Sequence, residues 1–432
     1  MKGRHMNVLI FGYGGHDEGF DSAMYFLSRG DNVRITDIRS RDSLGESIDY
    51  LEKKGAVIHC SGHQTEDFTW ADIVIKYPSI RLDNEFLSYA KRSENDLTFA
   101  YSRREAKKLR IICVTGARFK TSTASALCHA LNEMGHSAHM CGNMGISAFS
   151  EIQKWDEGDV PEYLIIEMSA WLARDIYHFM KGKVPHVEVS VVTSVFESQD
   201  HNDDALSRIG EFNLHANYII CPDEVKDAIE KVAAKKAKNI VSIESASKGM
   251  TRAIPSKMRV PYAVLRKLGF SSSQIVAALK SFKGNPNRSE LVHRTDSAIY
   301  INDSSTIIPA AVNFTAENYE SLPLHLICGG SDANLDPHAM LPSLKAAASL
   351  TLLDGTFTRK KLIPLLKENR LKYSGPYEKM EEAVENASSK LATKSNALQV
   401  VLLSPGASAY EYFGNEFARG DAFKKAINLL GH

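Results

Sequence analysis

Chemistry-bearing residues are most concentrated in Val114-Thr115-Gly116-Ala117-Arg118-Phe119-Lys120-Thr121-Ser122. This stretch follows a buried-type strand, RIICVTG, and opens a helix-like segment, which is the setting of a phosphate loop. Backbone N–H groups at a helix start surround phosphate oxygens, a lysine neutralises the outer phosphates, and a hydroxyl ligates Mg²⁺. Gly116, Lys120, Thr121 and Ser122 are therefore candidates for binding ATP, with Thr121 or Ser122 also able to reach the metal. The usual glycine before the lysine is Phe119 here, so an ordinary strand-to-helix turn stays open as the alternative. Glu167 ends the next strongly apolar strand, LIIEMS, and Asp200-His201-Asn202-Asp203 follows another, VEVSVVTSV. Parallel sheets present ligand groups at such carboxyl ends. Lys120, Glu167 and His201 are thus the catalytic candidates, and Thr121, Glu167 and His201 the candidates for metal. Taken singly, Glu167 or His201 is more often a solvated loop residue than a ligand.

Positioning these groups requires sheets covered by helices. Apolar runs of strand length alternate with amphipathic stretches nearly throughout, the pattern of an α/β protein. Met6 to Gly12 leads through a glycine turn to a helix-like segment, and the run VRITDIR completes a βαβ unit. A third run, ADIVIKYPSI, keeps the rhythm until the polar, basic stretch YSRREAKKLR. Ser271 to Gln274 reads as a capping box opening a helix that runs out at KGNPNRSE. The runs AIYIND, LHLICGG, SLTLLDG and QVVLLSPG then predict a third doubly wound sheet. The expected organisation is three domains: 1–106, Rossmann-like; 107–292, a central ATPase-type α/β domain with the phosphate loop; and 293–432, again Rossmann-like.

The 432 residues exceed one ordinary core, in keeping with several domains. Lys plus Arg and Asp plus Glu both number 52, so no global basic field drives binding to nucleic acid. The six cysteines stand without any Cys-x-x-Cys pair, which fits reduced thiols in a cytoplasm. No apolar run approaches the ~20 residues of a membrane helix. A cytoplasmic monomer, neither inserted in a membrane nor bound to nucleic acid, is the expectation.

The motifs GARFKTST, CGNMG, EMS, DHND, GNPNRSE, YINDSS, LICGGSD and LLSPGAS stand in the order and spacing of Mur ligase motifs. With FGYGG and TDIR the chain resembles that family over nearly its whole length, and most resembles the branch that adds D-glutamate. The resemblance implies an ATP-dependent ligase of peptidoglycan synthesis. ATP phosphorylates the carboxylate of UDP-N-acetylmuramoyl-L-alanine, and the amine of D-glutamate attacks the acyl phosphate. It further implies that Asn143, Arg288 and Asp303 contact ATP, that Mg²⁺ is required, and that the first domain binds the nucleotide sugar without ATP. There Gly15 and His16 match the diphosphate turn, and Asp37, Ile38 and Arg39 the uracil and ribose contacts.

Family members carry a carbamylated lysine soon after the Asp-His motif, and no Lys occurs here from Asp203 through Ile220. Glu211 is the nearest carboxylate able to stand in, with hard oxygen ligands suited to Mg²⁺. The family's Asp-Ser-Lys is Asp303-Ser304-Ser305, and the lysine expected after Gly-Gly-x-Asp is Ala333. Two readings follow: a working ligase with altered site chemistry, or a nucleotide-sugar-binding homologue that has lost the ligase step or takes another acceptor. A folate-type glutamate ligase shares the central loop but normally lacks the first domain.

Overall fold

A computed structural model describes residues 5–14, 18–45, 47–103, 105–116, 119–142, 146–183, 185–193, 216–233, 239–250, 258–333, 335–392 and 397–430. Three sheets organise them. The first contains β1 (Asn7–Phe11), β2 (Asn32–Thr36), β3 (Val57–His59), β4 (Ile73–Lys76) and β5 (Ser93–Glu94), all parallel, in the order β3-β2-β1-β4-β5. This order reverses between β1 and β4, and ligands of doubly wound sheets bind at such a reversal, outside the carboxyl ends.

The second sheet holds β6 (Arg110–Thr115), β7 (Ala138–Gly142), β8 (Tyr163–Glu167), β9 (Val187–Val192), β10 (Ala216–Cys221) and β11 (Ile240–Ser242), ordered β11-β10-β9-β6-β8-β7 and again parallel. Strand β8 is buried along its whole length because helices cover both faces. The Ser271 capping box forms: Ser271 accepts from the Gln274 N–H, and the Gln274 side chain accepts from the Ser271 N–H.

The third sheet is mixed. Strands β13 (Ala298–Asn302), β14 (Leu324–Cys328), β15 (Ser349–Leu353), β16 (Ser374–Tyr377) and β17 (Gln399–Leu403) are parallel, while β12 (Glu290–Arg294) runs antiparallel to β13 at one edge. The order is β12-β13-β17-β14-β15-β16.

The chain divides into two compact units, Met1–Phe282 and Lys283–His432. Within the first, the two sheets share one continuous core. Tyr25, Phe26 and Phe99 from the first sheet's helices pack on Phe149 of the helix Ala148–Asp156, with ring centroids 5.0, 5.1 and 5.2 Å from it. Arg29 and Arg103 both pair with Asp156 at the rim of this contact. Such aromatic contacts add to the burial of apolar area, so the first sheet's helical face is already covered by the second. No helix among the described residues is long and apolar enough to cross a membrane.

Candidate active site

Strand β6 delivers the chain to Gly116, at φ 126°, and the helix Lys120–Glu133 starts after Phe119. Phe119 is exposed and takes the left-handed conformation, φ 58° and ψ 8°, with no side-chain cap. A side chain with a Cβ is disfavoured there by about 1–2 kcal/mol, which is why glycine is the usual occupant. Lys120 folds back over the turn, its Nζ donating to the Gly116 carbonyl at 2.8 Å. The first N–H groups of a helix have no acceptor within the helix, and those of Lys120, Thr121 and Ser122 lie at the start of the helix that follows β6, the kind of place where backbone amides can receive an anion. Ala117 and Arg118 lie outside the described residues.

Glu167 is buried and directly opposite Val114 across β6 and β8, and opposite Gly142 across β8 and β7. Gly142, at φ 110°, is needed there because a Cβ would lie 2.3 Å from the Glu167 carbonyl oxygen. On the other flank of β6, Thr193 donates through Oγ1 to the Thr115 carbonyl at 3.0 Å, tying the end of β9 to the loop. The structure thus brings Gly116, Lys120 and Glu167 to one sheet edge. Asn143, His201 and Glu211 lie outside the described residues. Among the described residues no three His, Cys, Asp or Glu side chains cluster as a metal site. Glu167 is nonetheless a hard oxygen donor one strand from the phosphate turn, which fits the oxygen preference of Mg²⁺.

In the first sheet, Asp37 follows β2 and reaches the turn after β1. Its Oδ2 accepts the Tyr13 N–H at 2.8 Å, and its Oδ1 accepts the Arg39 N–H and Nε, both at 2.9 Å. Arg39 Nη2 donates to Asp37 Oδ2 and, at 2.7 Å, to the Gly14 carbonyl. Burial pushes the Asp37 carboxyl up, but the Arg39 side chain and the amides of Arg39 and Tyr13 outweigh it and hold the group below the usual carboxylate range. Ile38, between them, is 71% exposed. Asp37 is therefore a brace for the turn as well as a candidate ligand. Gly15 and His16 lie outside the described residues.

A cleft joins the two edges. Gly12, Tyr77 and Ser79 line it from the first sheet, and Gly142, Ser169 and Trp171 from the second. Asp96 sits in its floor, accepting from the Leu97 N–H at 2.8 Å and the Ala148 N–H at 2.9 Å. Burial raises its pKa against those amides.

In Lys283–His432, Arg288 lies between two left-handed residues, Asn287 at φ 61° and Ser289 at φ 48°. Strain of this kind collects where surrounding structure over-determines a functional loop. Asp303, at the end of β13, is buried. Oδ2 accepts from Thr306 and Thr315 at 2.6 Å and from Ser404 at 3.1 Å, and Oδ1 from the Ser289 N–H at 2.9 Å. Burial, opposed by those donors, raises its pKa. Asp303 thereby joins the Arg288 loop to the ends of β13 and β17.

Three residues that sequence reasoning passed over complete the picture. Lys361 Nζ lies 3.0 Å from Asp332 Oδ1 and 3.2 Å from the Leu335 carbonyl, which places a cation beside Ala333. Arg419 is fully buried and donates to the Ser304 hydroxyl and to the carbonyls of Ser304, Ala407 and Ser408. Lys76 is also fully buried. The available signal was a lysine closing the apolar strand Ile73-Val74-Ile75-Lys76, and an arginine in the helix after LLSPGAS.

No protein-family model matches the chain. Its sequence is 27% identical to the UDP-N-acetylmuramoylalanine–D-glutamate ligase of Borreliella afzelii over 99% of both chains. It is 24% identical to the ligase of the same name from Treponema pallidum, over 98% of this chain and 97% of the other. Among solved structures it superposes on the UDP-N-acetylmuramate–alanine ligase of Thermotoga maritima with TM-score 0.60 and 16% identity, covering 99% of this chain and 100% of that one. The Thermotoga maritima MurF ligase in complex with ADP gives 0.55 and 12% identity, covering 92% and 96%.

Proposed function

We propose, from the premise that this chain belongs to the Mur ligase family, that it joins D-glutamate to UDP-N-acetylmuramoyl-L-alanine with hydrolysis of ATP to ADP and phosphate. The observation that carries this reading is the pairing of the Lys120 turn with Glu167 one strand away, at the carboxyl edge of the second sheet, with a cleft between Gly12 of the first sheet and Gly142 of the second.

The nucleotide sugar lies with its uridine against Asp37, Ile38 and Arg39 and its diphosphate against Gly15 and His16, ahead of the helix Glu18–Ser28. Its carboxylate then points along the cleft toward Gly116. The carboxylate oxygen displaces ADP from the γ-phosphorus, giving an acyl phosphate. The amine next attacks the carbonyl carbon, loses a proton, and expels phosphate as the amide forms. Lys120 swings from the Gly116 carbonyl to the outer phosphates and offsets the charge that develops on them. Thr121, Ser122 and Asn143 complete the ATP contacts. Thr121, Glu167 and His201 would hold Mg²⁺, which supplies further charge neutralisation to the phosphates. Arg288 offers a second guanidinium to ATP. Asp303 acts by fixing that arginine's loop. In the third sheet's unit, Lys361, paired with Asp332, is the cation that stands beside Ala333.

The chain lacks a carbamylated lysine between Asp203 and Ile220, so turnover is expected to be indifferent to bicarbonate. Glu211→Gln is expected to raise the Mg²⁺ requirement, read from turnover against metal concentration.

Phe119 in a glycine conformation, together with the missing lysines, favours a second reading: a nucleotide-sugar binder without ligase activity. One experiment separates the two. Phosphate release is measured with UDP-N-acetylmuramoyl-L-alanine, ATP and a panel of amino acids. Release with D-glutamate supports the ligase. Release with another amino acid replaces the acceptor, and no release with any, alongside binding of the nucleotide sugar, leaves the binder.

A further inference from the structure

Strand β4 ends in a charge although it lies inside a parallel sheet. A lysine buried there needs a counter-ion and acceptors for its N–H groups. Lys76 Nζ is 2.6 Å from Asp175 Oδ2, and neither side chain has any solvent exposure. Nζ also donates to the carbonyl oxygens of Ile80 at 2.8 Å, Tyr77 at 3.1 Å and Pro78 at 3.3 Å. Asp175 belongs to the other side of the cleft, on the helix Ala170–Phe179 that starts just after Glu167 and is capped by Ser169. Its neighbour Arg174 donates to the same Ile80 carbonyl at 3.3 Å, and its guanidinium carbon lies 4.7 Å from the centroid of the Trp171 ring. Two cations from different sheets thus converge on one carbonyl oxygen.

Such a pair is a poor device for stability, because desolvating two charges largely offsets their attraction. What it does is select one geometry. Residues on both sides of the pair border the cleft: Tyr77, Pro78 and Ser79 on one wall, Ser169, Trp171 and Leu172 on the other. We propose that Lys76 and Asp175 are positioning residues that lock loop 77–80 to the helix following Glu167, and so present the substrate carboxylate to the phosphate loop in one orientation. The identity of that substrate rests on the reading above, whereas the lock itself does not.

The test uses the full chain and three variants: Lys76→Met, Asp175→Asn, and the double variant Lys76→Met/Asp175→Asn, which removes both charges and keeps an amide oxygen for Arg174, whose guanidinium donates to Asp175 Oδ1 at 3.1 Å. Amide hydrogen exchange without ligand is expected to rise about tenfold in segments 77–80 and 168–172 of the double variant, and to stay unchanged elsewhere in residues 1–282. In steady-state assays the KM for UDP-N-acetylmuramoyl-L-alanine should rise about tenfold while that for ATP moves less than about twofold, as expected of a misoriented substrate. Asp175→Asn, which leaves the buried Lys76 charge without its carboxylate, should show the same local pattern at greater amplitude, and Lys76→Met, where Arg174 still pairs with Asp175, the same pattern at lower amplitude. Unchanged exchange in the two segments, exchange raised throughout the unit, or both KM values moving together would overturn the lock. If the wild type neither binds nor turns over the nucleotide sugar, the substrate reading fails, and the exchange pattern alone decides the lock.

Discussion

After β1 the chain turns through Gly12 and Gly14 toward the helix Glu18–Ser28, and after β6 it turns through Gly116 into the helix Lys120–Glu133. Both are strand–turn–helix connections, yet their turns are held differently. The first is braced from outside: Asp37 and Arg39, from the neighbouring strand, grip the Tyr13 N–H and the Gly14 carbonyl. The second is held from within, by Lys120 bonded to Gly116 and by Phe119 in a conformation suited to glycine. On the proposed function the first turn receives an unreacting uridine diphosphate, which permanent neighbours serve. On the same proposal the second turn exchanges partners with each ATP, Lys120 trading its Gly116 contact for phosphate. The difference implies that damage to the first turn is read in binding and folding, and damage to the second in turnover.

The largest expected effect is on the second turn. Lys120→Ala should lower ATP-dependent turnover by a factor on the order of a hundred to a thousand, the usual consequence of removing one group that stabilises transition-state charge. Its melting temperature should stay near that of wild type, since a partly exposed loop lysine contributes little packing. Turnover near wild type would break the comparison at its centre.

Asp37→Ala should act oppositely, removing the carboxylate that accepts from the Tyr13 N–H and from Arg39. A loss of about 1–3 kcal/mol in denaturant unfolding is expected, with weaker uridine nucleotide binding by calorimetry. The full chain is needed, because the first sheet's aromatic face is covered by Phe149 of the second. Unaltered stability with intact uridine affinity would remove the bracing role.

Acid sharpens the same contrast. The Asp37 pKa is depressed in the folded chain, so its stabilising contribution is fully present above the unfolded value of about 3.9 and is lost as pH falls through the lower folded value. Uridine nucleotide affinity should therefore hold down to about pH 4 and decline below it. A decline already centred near pH 6 would assign control to another group, such as a histidine.

The smallest effect is expected from Phe119→Gly. Relief of the left-handed residue is worth up to about 1–2 kcal/mol, reduced by glycine's larger unfolded-state entropy. A small gain in stability with tighter ATP binding fits strain in the loop. A marked loss would mean that the exposed ring performs a task of its own.

Much of this architecture was legible in the sequence because strands buried on both faces are continuous apolar runs. RIICVTG, LIIEMS and AIYIND became β6, β8 and β13. Strands β3, β5 and β16 were not legible: they span three, two and four residues, and β16 contains Pro376. Lys120 and Glu167 were readable because their spacing follows from the strands that end beside them. The brace of Asp37 by Arg39, the pairing of Lys76 with Asp175 and the four acceptors of Arg419 were not, since each depends on where distant backbone comes to rest. A buried cation looks in sequence like any surface one.

The central claim, amide formation through an acyl phosphate at the Lys120 turn, is tested most directly by oxygen transfer. UDP-N-acetylmuramoyl-L-alanine labelled with ¹⁸O in its terminal carboxylate is incubated with ATP, D-glutamate and the full chain, and the released phosphate is analysed by mass spectrometry. One labelled oxygen should appear in each phosphate, because the carboxylate oxygen that attacks the γ-phosphorus leaves with it. Amide product accompanied by unlabelled phosphate would contradict the account.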